Sequence, residues 1–158
     1  MSVYNKLNVI DEFEAKFGNR EAVRRACDLM VSYLSETATS LPEVAAQAVH
    51  VGRKYKNGLA SRADLNAERK AISQFLSDHS AWTNYEDQEY CAVHAVHGFL
   101  DGYINLSWGG GASELVSNFW EMMEKFDRNE VLLQRLLQEH FSRKPSRAAC
   151  VKRTSPVA

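Results

Sequence analysis

Long apolar runs are missing from this chain. No stretch of its 158 residues approaches the roughly 20 consecutive apolar residues that a membrane helix needs. The opening Met1-Ser2-Val3-Tyr4-Asn5-Lys6 lacks the apolar core of a secretory signal. A cytoplasmic protein is the expectation. Cysteine is scarce, with three residues in all. Cys27, Cys91 and Cys150 form an odd set whose spacings fit neither a disulfide framework nor a CxxC metal knuckle, so reduced thiols are expected. Catalytic signatures are missing too: there is no GxSxG elbow, no Cys–His–Asn pattern, no HExxH and no GxxxxGK[ST], which leaves hydrolase, metalloprotease and nucleotide-binding classes without a motif.

The most informative absence is of positive charge. From Met1 to Lys70 there are 11 basic and 9 acidic residues, from Ala71 to Glu124 none and 8, and from Lys125 to Ala158 8 and 3. The three pieces carry +2, −8 and +5, and together give the net charge of −1. A run of 54 residues without Lys or Arg points to an electrostatically steered, basic partner.

What is present is helical punctuation and periodicity. With 45% apolar and 25% charged residues, the chain has the balance of a globular domain able to bury a core without staples. Apolar residues at helical spacing predict helices over about 8–17, closed by Gly18 with Asn19 as the next cap, and over 20–35, burying Val23, Cys27, Met30, Val31 and Leu34. Ser40-Leu41-Pro42-Glu43 reads as a capping box for a third helix that stops at Asn57-Gly58, and Ser61-Arg62-Ala63-Asp64 opens a fourth in the same way. The fourth helix is expected to bury Leu65, Ala71, Ile72, Phe75 and Leu76. The short connection between the third and fourth predicts an antiparallel hairpin. A fifth helix is expected from near Asn84 to Gly102, a sixth from Ser113 to Phe126, and a seventh to Phe141, opened by the capping pattern Asp127-Arg128-Asn129-Glu130. Nothing reads as a strand of period two. The fold class is all-α: one bundle of about six to seven helices over 1–142, followed by a basic, proline-punctuated tail over 143–158 that is expected to be loosely ordered.

Several side-chain groups stand out as candidate sites. Tyr90, His94, His97 and Asp101 fall on one stripe of the fifth helix, opposite Ala92, Val96 and Phe99. Two imidazoles and a carboxylate at that spacing have the chemistry of metal ligands, and His94, His97 and Asp101 are the candidates. No further acidic helix identifies the remaining ligands, so a polar flank facing a neighbour or a partner is the stronger expectation. Gly109-Gly110-Gly111 reads as a connection rather than a phosphate cradle, since no nearby lysine completes the motif. Trp108 beside it is either a plug or a displayed anchor. Aromatics interspersed with carboxylates form the expected partner surface: Asp78, Tyr85, Glu86, Asp87, Glu89, Tyr90, His94, His97, Asp101 and Trp108. Direct nucleic-acid contact is not expected. Outside the tail, the basic run Arg53-Lys54-Tyr55-Lys56 is explained by its own helix dipole.

The segment from Leu41 to Leu76 resembles the all-helical immunity proteins of bacterial polymorphic toxin systems. An alanine-rich helix ends Tyr55-Lys56-Asn57-Gly58, Leu59-Ala60-Ser61 follows, and Leu65 with Ala67-Glu68-Arg69 lies on the next helix. Ala92-Val93-His94-Ala95-Val96-His97 is similar to the Ala/His-rich helix of that group. The likeness covers about half the chain and departs from the group at the triple glycine and the tail. It implies a cytosolic antitoxin that neutralises a co-encoded toxin by tight binding, with no catalysis and no cofactor. A phage-encoded anti-defence inhibitor of a nucleic-acid-binding effector needs the same acidic surface and is the alternative. A metal-dependent helical enzyme using His94, His97 and Asp101, and a subunit of a homo-oligomer, are alternatives of other classes.

Overall fold

A computed structural model describes residues 2–142; the tail and Cys150 lie outside the described residues. The chain forms a short N-terminal turn, α1 (Val3–Lys6), and then seven helices: α2 (Asn8–Phe17), α3 (Asn19–Glu36), α4 (Glu43–Lys56), α5 (Arg62–Asp78), α6 (Gln88–Ile104), α7 (Gly111–Phe126) and α8 (Glu130–Phe141). No strand occurs among the described residues. The expected all-α bundle is what forms.

α3 is the central helix. Its buried positions, Ala22, Val23, Ala26, Cys27, Leu29, Met30, Val31, Tyr33 and Leu34, spread around most of its circumference, so it packs against α2, α4, α6, α7 and α8. All five residues expected to be buried on this helix are in the core. α6 is the second hub, apolar on three sides and in contact with α3, α4, α5 and α7. Glycine lets α3 and α6 approach: a methyl group on Gly102 would lie 2.4 Å from Cys27 Sγ and 3.1 Å from Leu115 Cδ2. Gly102 is therefore interior to α6, which runs on to Ile104, rather than the stop expected there. Gly98, one turn earlier, leaves its missing methyl 3.4 Å from Met30 Cε, an ordinary contact.

The helix starts separate local signals that win from those that lose. Ser61 and Asp64 make the capping box: Asp64 N donates to Ser61 Oγ at 3.2 Å and Ser61 N to Asp64 Oδ2 at 2.7 Å. Ser40 does not cap, because Leu41 precedes a proline and is driven out of the helical region. α4 instead begins at Glu43, with the Pro42 carbonyl accepting from Ala46 N at 2.8 Å. Gly18, in the left-handed region at φ 92°, joins α2 to α3 without a side-chain cap, and Asn19 is already helical. α6 starts at Gln88 rather than near Asn84, whose Oδ1 accepts from the Glu86 and Asp87 amides and holds a turn. Asn129 caps α8 by accepting from Leu132 N at 3.0 Å. Asp127 faces away to take Thr37 Oγ1 and Thr39 N. On α5, Ala71 is exposed and Phe75 only half-buried, against expectation, while Leu65, Ile72 and Leu76 are fully buried.

Tyr33 pins the turn between α7 and α8. Its ring meets Phe119 and Trp120 edge-on at 5.5 and 6.0 Å. Its hydroxyl donates to the Asp127 carbonyl and accepts from Asn129 N at 2.8 Å, and burial pushes the phenol up to about 12.

The two α6 glycines should behave differently. Gly102→Ala has no room beside Cys27 and is expected to lower the unfolding free energy by about 1–3 kcal/mol. Gly98→Ala is expected to leave it unchanged or raise it by up to about 1 kcal/mol, through helix propensity. Urea unfolding of both variants measures this; equal losses would contradict the close α3–α6 contact.

Candidate functional site

The polar stripe of α6 exists, and a loop covers part of it. Residues 79–87, between α5 and α6, fold back so that the Tyr85 ring stacks on His94 at 4.3 Å between centroids and the Trp82 ring meets His97 edge-on at 5.3 Å. His94 Nε2 lies 2.9 Å from the Ala81 carbonyl. A carbonyl only accepts, so this nitrogen carries the proton. Burial pushes the His94 imidazole below its ordinary range, against the opposing pull of the Ala81 and Asn84 backbone groups. His94 is thus a neutral tether for the loop.

His97 and Asp101 form a second unit. His97 Nδ1 lies 3.3 Å from Asp101 Oδ2, and Arg69 of α5 reaches Asp101 Oδ1 at 3.3 Å. The carboxylate thus lies between the imidazole and the guanidinium. Among the described residues, however, no hydrogen bond links His97 to a serine, threonine or cysteine, and no group of three or more His, Cys, Asp or Glu side chains is placed to hold a metal ion. Of the candidates His94, His97 and Asp101, His94 directs its Nε2 at the Ala81 carbonyl, and Asp101 is shared between Arg69 and His97. Tyr90, the fourth member of the stripe, leans the other way, toward Phe75 and His79 of the α5 side at 6.2 and 6.1 Å.

What the stripe does form is one wall of a groove. Between α6 and α7 lies a half-open depression of about 660 Å³, within the size range of ligand sites. Its α6 wall is His94, Ala95, His97, Gly98 and Asp101; its α7 wall is Leu115, Asn118, Phe119, Glu121, Met122 and Lys125; Met30 of α3 supplies the floor, and Tyr85 and Trp108 stand at the sides. Trp108 lies across Gly110, where a methyl group would come within 2.3 Å of its Cζ3. This half-buried ring is neither a plug nor fully displayed. Gly111 already belongs to α7 and opens it two residues before the expected Ser113. The start of α7 faces the protein's own carboxylate: a methyl on Gly111 would be 3.6 Å from Glu14 Oε1. That placement sets a negative group against the helix dipole and leaves the triple glycine as a connection.

No family model matches the chain, and neither a curated protein nor a solved structure matches it. The site therefore has to be judged on its own chemistry.

Five of the ten residues expected at a partner surface, Tyr85, His94, His97, Asp101 and Trp108, come together at this groove. The other five do not line it. Asp78 accepts from Gln74 on exposed α5, Asp87 bonds Asn84 in the loop, Glu86 faces Lys125, Glu89 is exposed, and Tyr90 packs toward α5. Met30 and the α7 residues were missed. Leu115, Phe119 and Met122 follow the i, i+4, i+7 rule of a core face; Leu115 and Phe119 are indeed buried, and sequence alone does not show that Met122 at the end of the row is partly exposed. The charge expectation is also modified. Cations from the flanking segments reach the acidic stretch: Arg69 at Asp101, Lys125 at the Tyr85 carbonyl and Glu86, Arg62 at the Ile104 carbonyl and Arg20 at Ser107. Along the groove itself, the charged groups are Asp101, Glu121 and, at one end, Lys125.

The buried imidazoles make stability depend on pH. His94 and His140 are both held below the ordinary imidazole range, chiefly by burial. The unfolded chain therefore takes up protons from about pH 6.5 downward, where the native protein does not. Stability is full above that pH and is lost as pH falls through the native values. Urea midpoints at pH 7.5 and 5.5 should show the loss, and His94→Gln should shrink it. An undiminished loss in His94→Gln would contradict the tethered, neutral His94.

Proposed function

We propose that the protein works by binding, as an inhibitor of the immunity type, and neutralises a toxin or effector by holding part of it at the α6–α7 groove. The observation that carries this reading is the groove's make-up. Partly exposed Met122, with the buried Met30, Leu115 and Phe119 beneath it, lies between two aromatic side pieces, Tyr85 and Trp108, with carboxylates at Asp101 and Glu121. Aromatic anchors around an apolar centre supply affinity, and rim charges supply approach and selectivity. Tyr85 is 43% exposed and the neighbouring Trp82 40%, so both residues present area without further unfolding.

The resemblance of residues 41–76 and 92–97 to helical immunity proteins agrees with this reading. No helix among the described residues is long and apolar enough to cross a membrane. The partner is expected to be basic, although Arg69 and Lys125 reduce the field that the stretch over 71–124, which has no Lys or Arg, by itself implies.

Co-expression with the toxin or effector encoded beside this gene tests the reading. The cells should survive, and the two proteins should purify as a complex whose association slows about tenfold or more as salt is raised from low to several hundred millimolar. Absence of both protection and complex would overturn the function, and a salt-independent association rate would overturn its electrostatic part.

A further inference from the structure

We propose that the groove takes an amphipathic helix of the partner, with apolar side chains on the floor and a lysine or arginine against the rim carboxylates; this rests on the binding function above. The dimensions come first. From His94 to Asp101 and from Leu115 to Lys125, at 1.5 Å per residue, the two walls run about 10 and about 15 Å. That is two to three turns of a helix. With about 660 Å³ available, the groove accepts a few side chains at i, i+3 or i+4, and i+7, and no larger body.

The recognition chemistry also favours a helix. Both walls are helices whose backbone groups are bonded within themselves, and no strand edge exists among the described residues. Strand addition therefore has no template, and side chains have to carry the contact. On the α6 wall Ala95 and Gly98 are small. The methyl that Gly98 lacks would stand 3.4 Å from Met30 Cε, so its absence leaves the floor open. Met122, partly exposed, offers a flexible, polarizable thioether that adjusts to the side chains laid on it, and the buried Met30 lies directly beneath the groove.

Charge decides which helix. Asp101 and Glu121 are the groove's acids. Asp101 already bonds Arg69 at 3.3 Å, and Lys125 Nζ donates to the Tyr85 carbonyl at 2.8 Å and lies 3.4 Å from Glu86 Oε1, so exposed Glu121 sets the sign that a partner meets. A basic amphipathic helix is complementary, and an acidic one of the same apolar pattern is not.

The test uses a fluorescein-labelled 15-residue peptide of leucine and lysine, with leucines at helical spacing, and a matched peptide with glutamate for lysine. The Leu/Lys peptide should bind the intact protein saturably and at least tenfold more tightly than the Leu/Glu peptide. Gly98→Leu, which fills the groove without changing any charge, should weaken it at least tenfold while keeping its helical circular dichroism. Asp101→Asn with Glu121→Gln should remove the preference for lysine. Should Gly98→Leu fail to fold, methyl-labelled methionine in the unaltered protein gives the readout, and the Met30 and Met122 signals should move on adding peptide. Equal binding of the two peptides, undiminished binding to folded Gly98→Leu, or unmoved methionine signals would each overturn the proposal. Neutralisation that survives in Gly98→Leu would overturn the groove assignment and leave the inhibitor function standing, whereas loss of the toxin complex in the unaltered protein would remove the function itself.

Discussion

The arrangement depends on how closely α6 lies against its neighbours at positions that have no side chain. Gly102 meets Cys27 on α3, and on α4 a methyl at Gly52 would fall 2.9 Å from Phe99 Cε1 and 3.1 Å from Val31 Cγ2. The contact is locked further by Tyr103, whose hydroxyl donates to Asp28 Oδ1 at 2.5 Å across the same interface. Because interiors pack at near-crystalline density, a small displacement of α6 would be felt along its length. Met30 forms the groove floor only because α3 and α6 are this near.

The same constraint explains why a histidine-bearing stripe sits on a helix that is otherwise apolar. α6 has core on three sides, so its fourth has to accommodate the half-polar residues, and the loop over 79–87 supplies ring faces and a carbonyl to meet them. His94 is consumed in that way. His97 and Asp101 remain at the edge of the groove, where they contribute polarity and shape. The spacing of the three residues along the helix does not show their tertiary partners: the loop and Arg69 arrive from outside the helix.

Much of the fold was legible because it is local. The periodicity of α3, the Ser61–Asp64 box and the Gly58 stop each act through neighbours in sequence. The failures at Ser40 and Asp127 came from competing partners, a proline that restricts the residue before it in one case and Thr37 and Thr39 from a distant loop in the other. The groove was half legible. Its α6 side carries polar residues at helical spacing, which stand out. Its α7 side looks like any core face, and Met30 gives no signal, since a buried methionine on α3 reads the same whether or not a groove opens above it. Charge misled in part for a similar reason: the chain brings Arg20, Arg62, Arg69 and Lys125 to a stretch that has no cation of its own.

The central claim is that the α6–α7 groove, rather than any other face, is where the partner is held. Hydroxyl-radical footprinting of the free protein and of its complex with the toxin or effector it is proposed to neutralise addresses this most directly. Tyr85, Trp108 and Met122 should lose most of their oxidation in the complex, while exposed Phe17 and Leu59 react as before. Protection at Phe17 or Leu59 with Tyr85, Trp108 and Met122 unchanged would contradict the account.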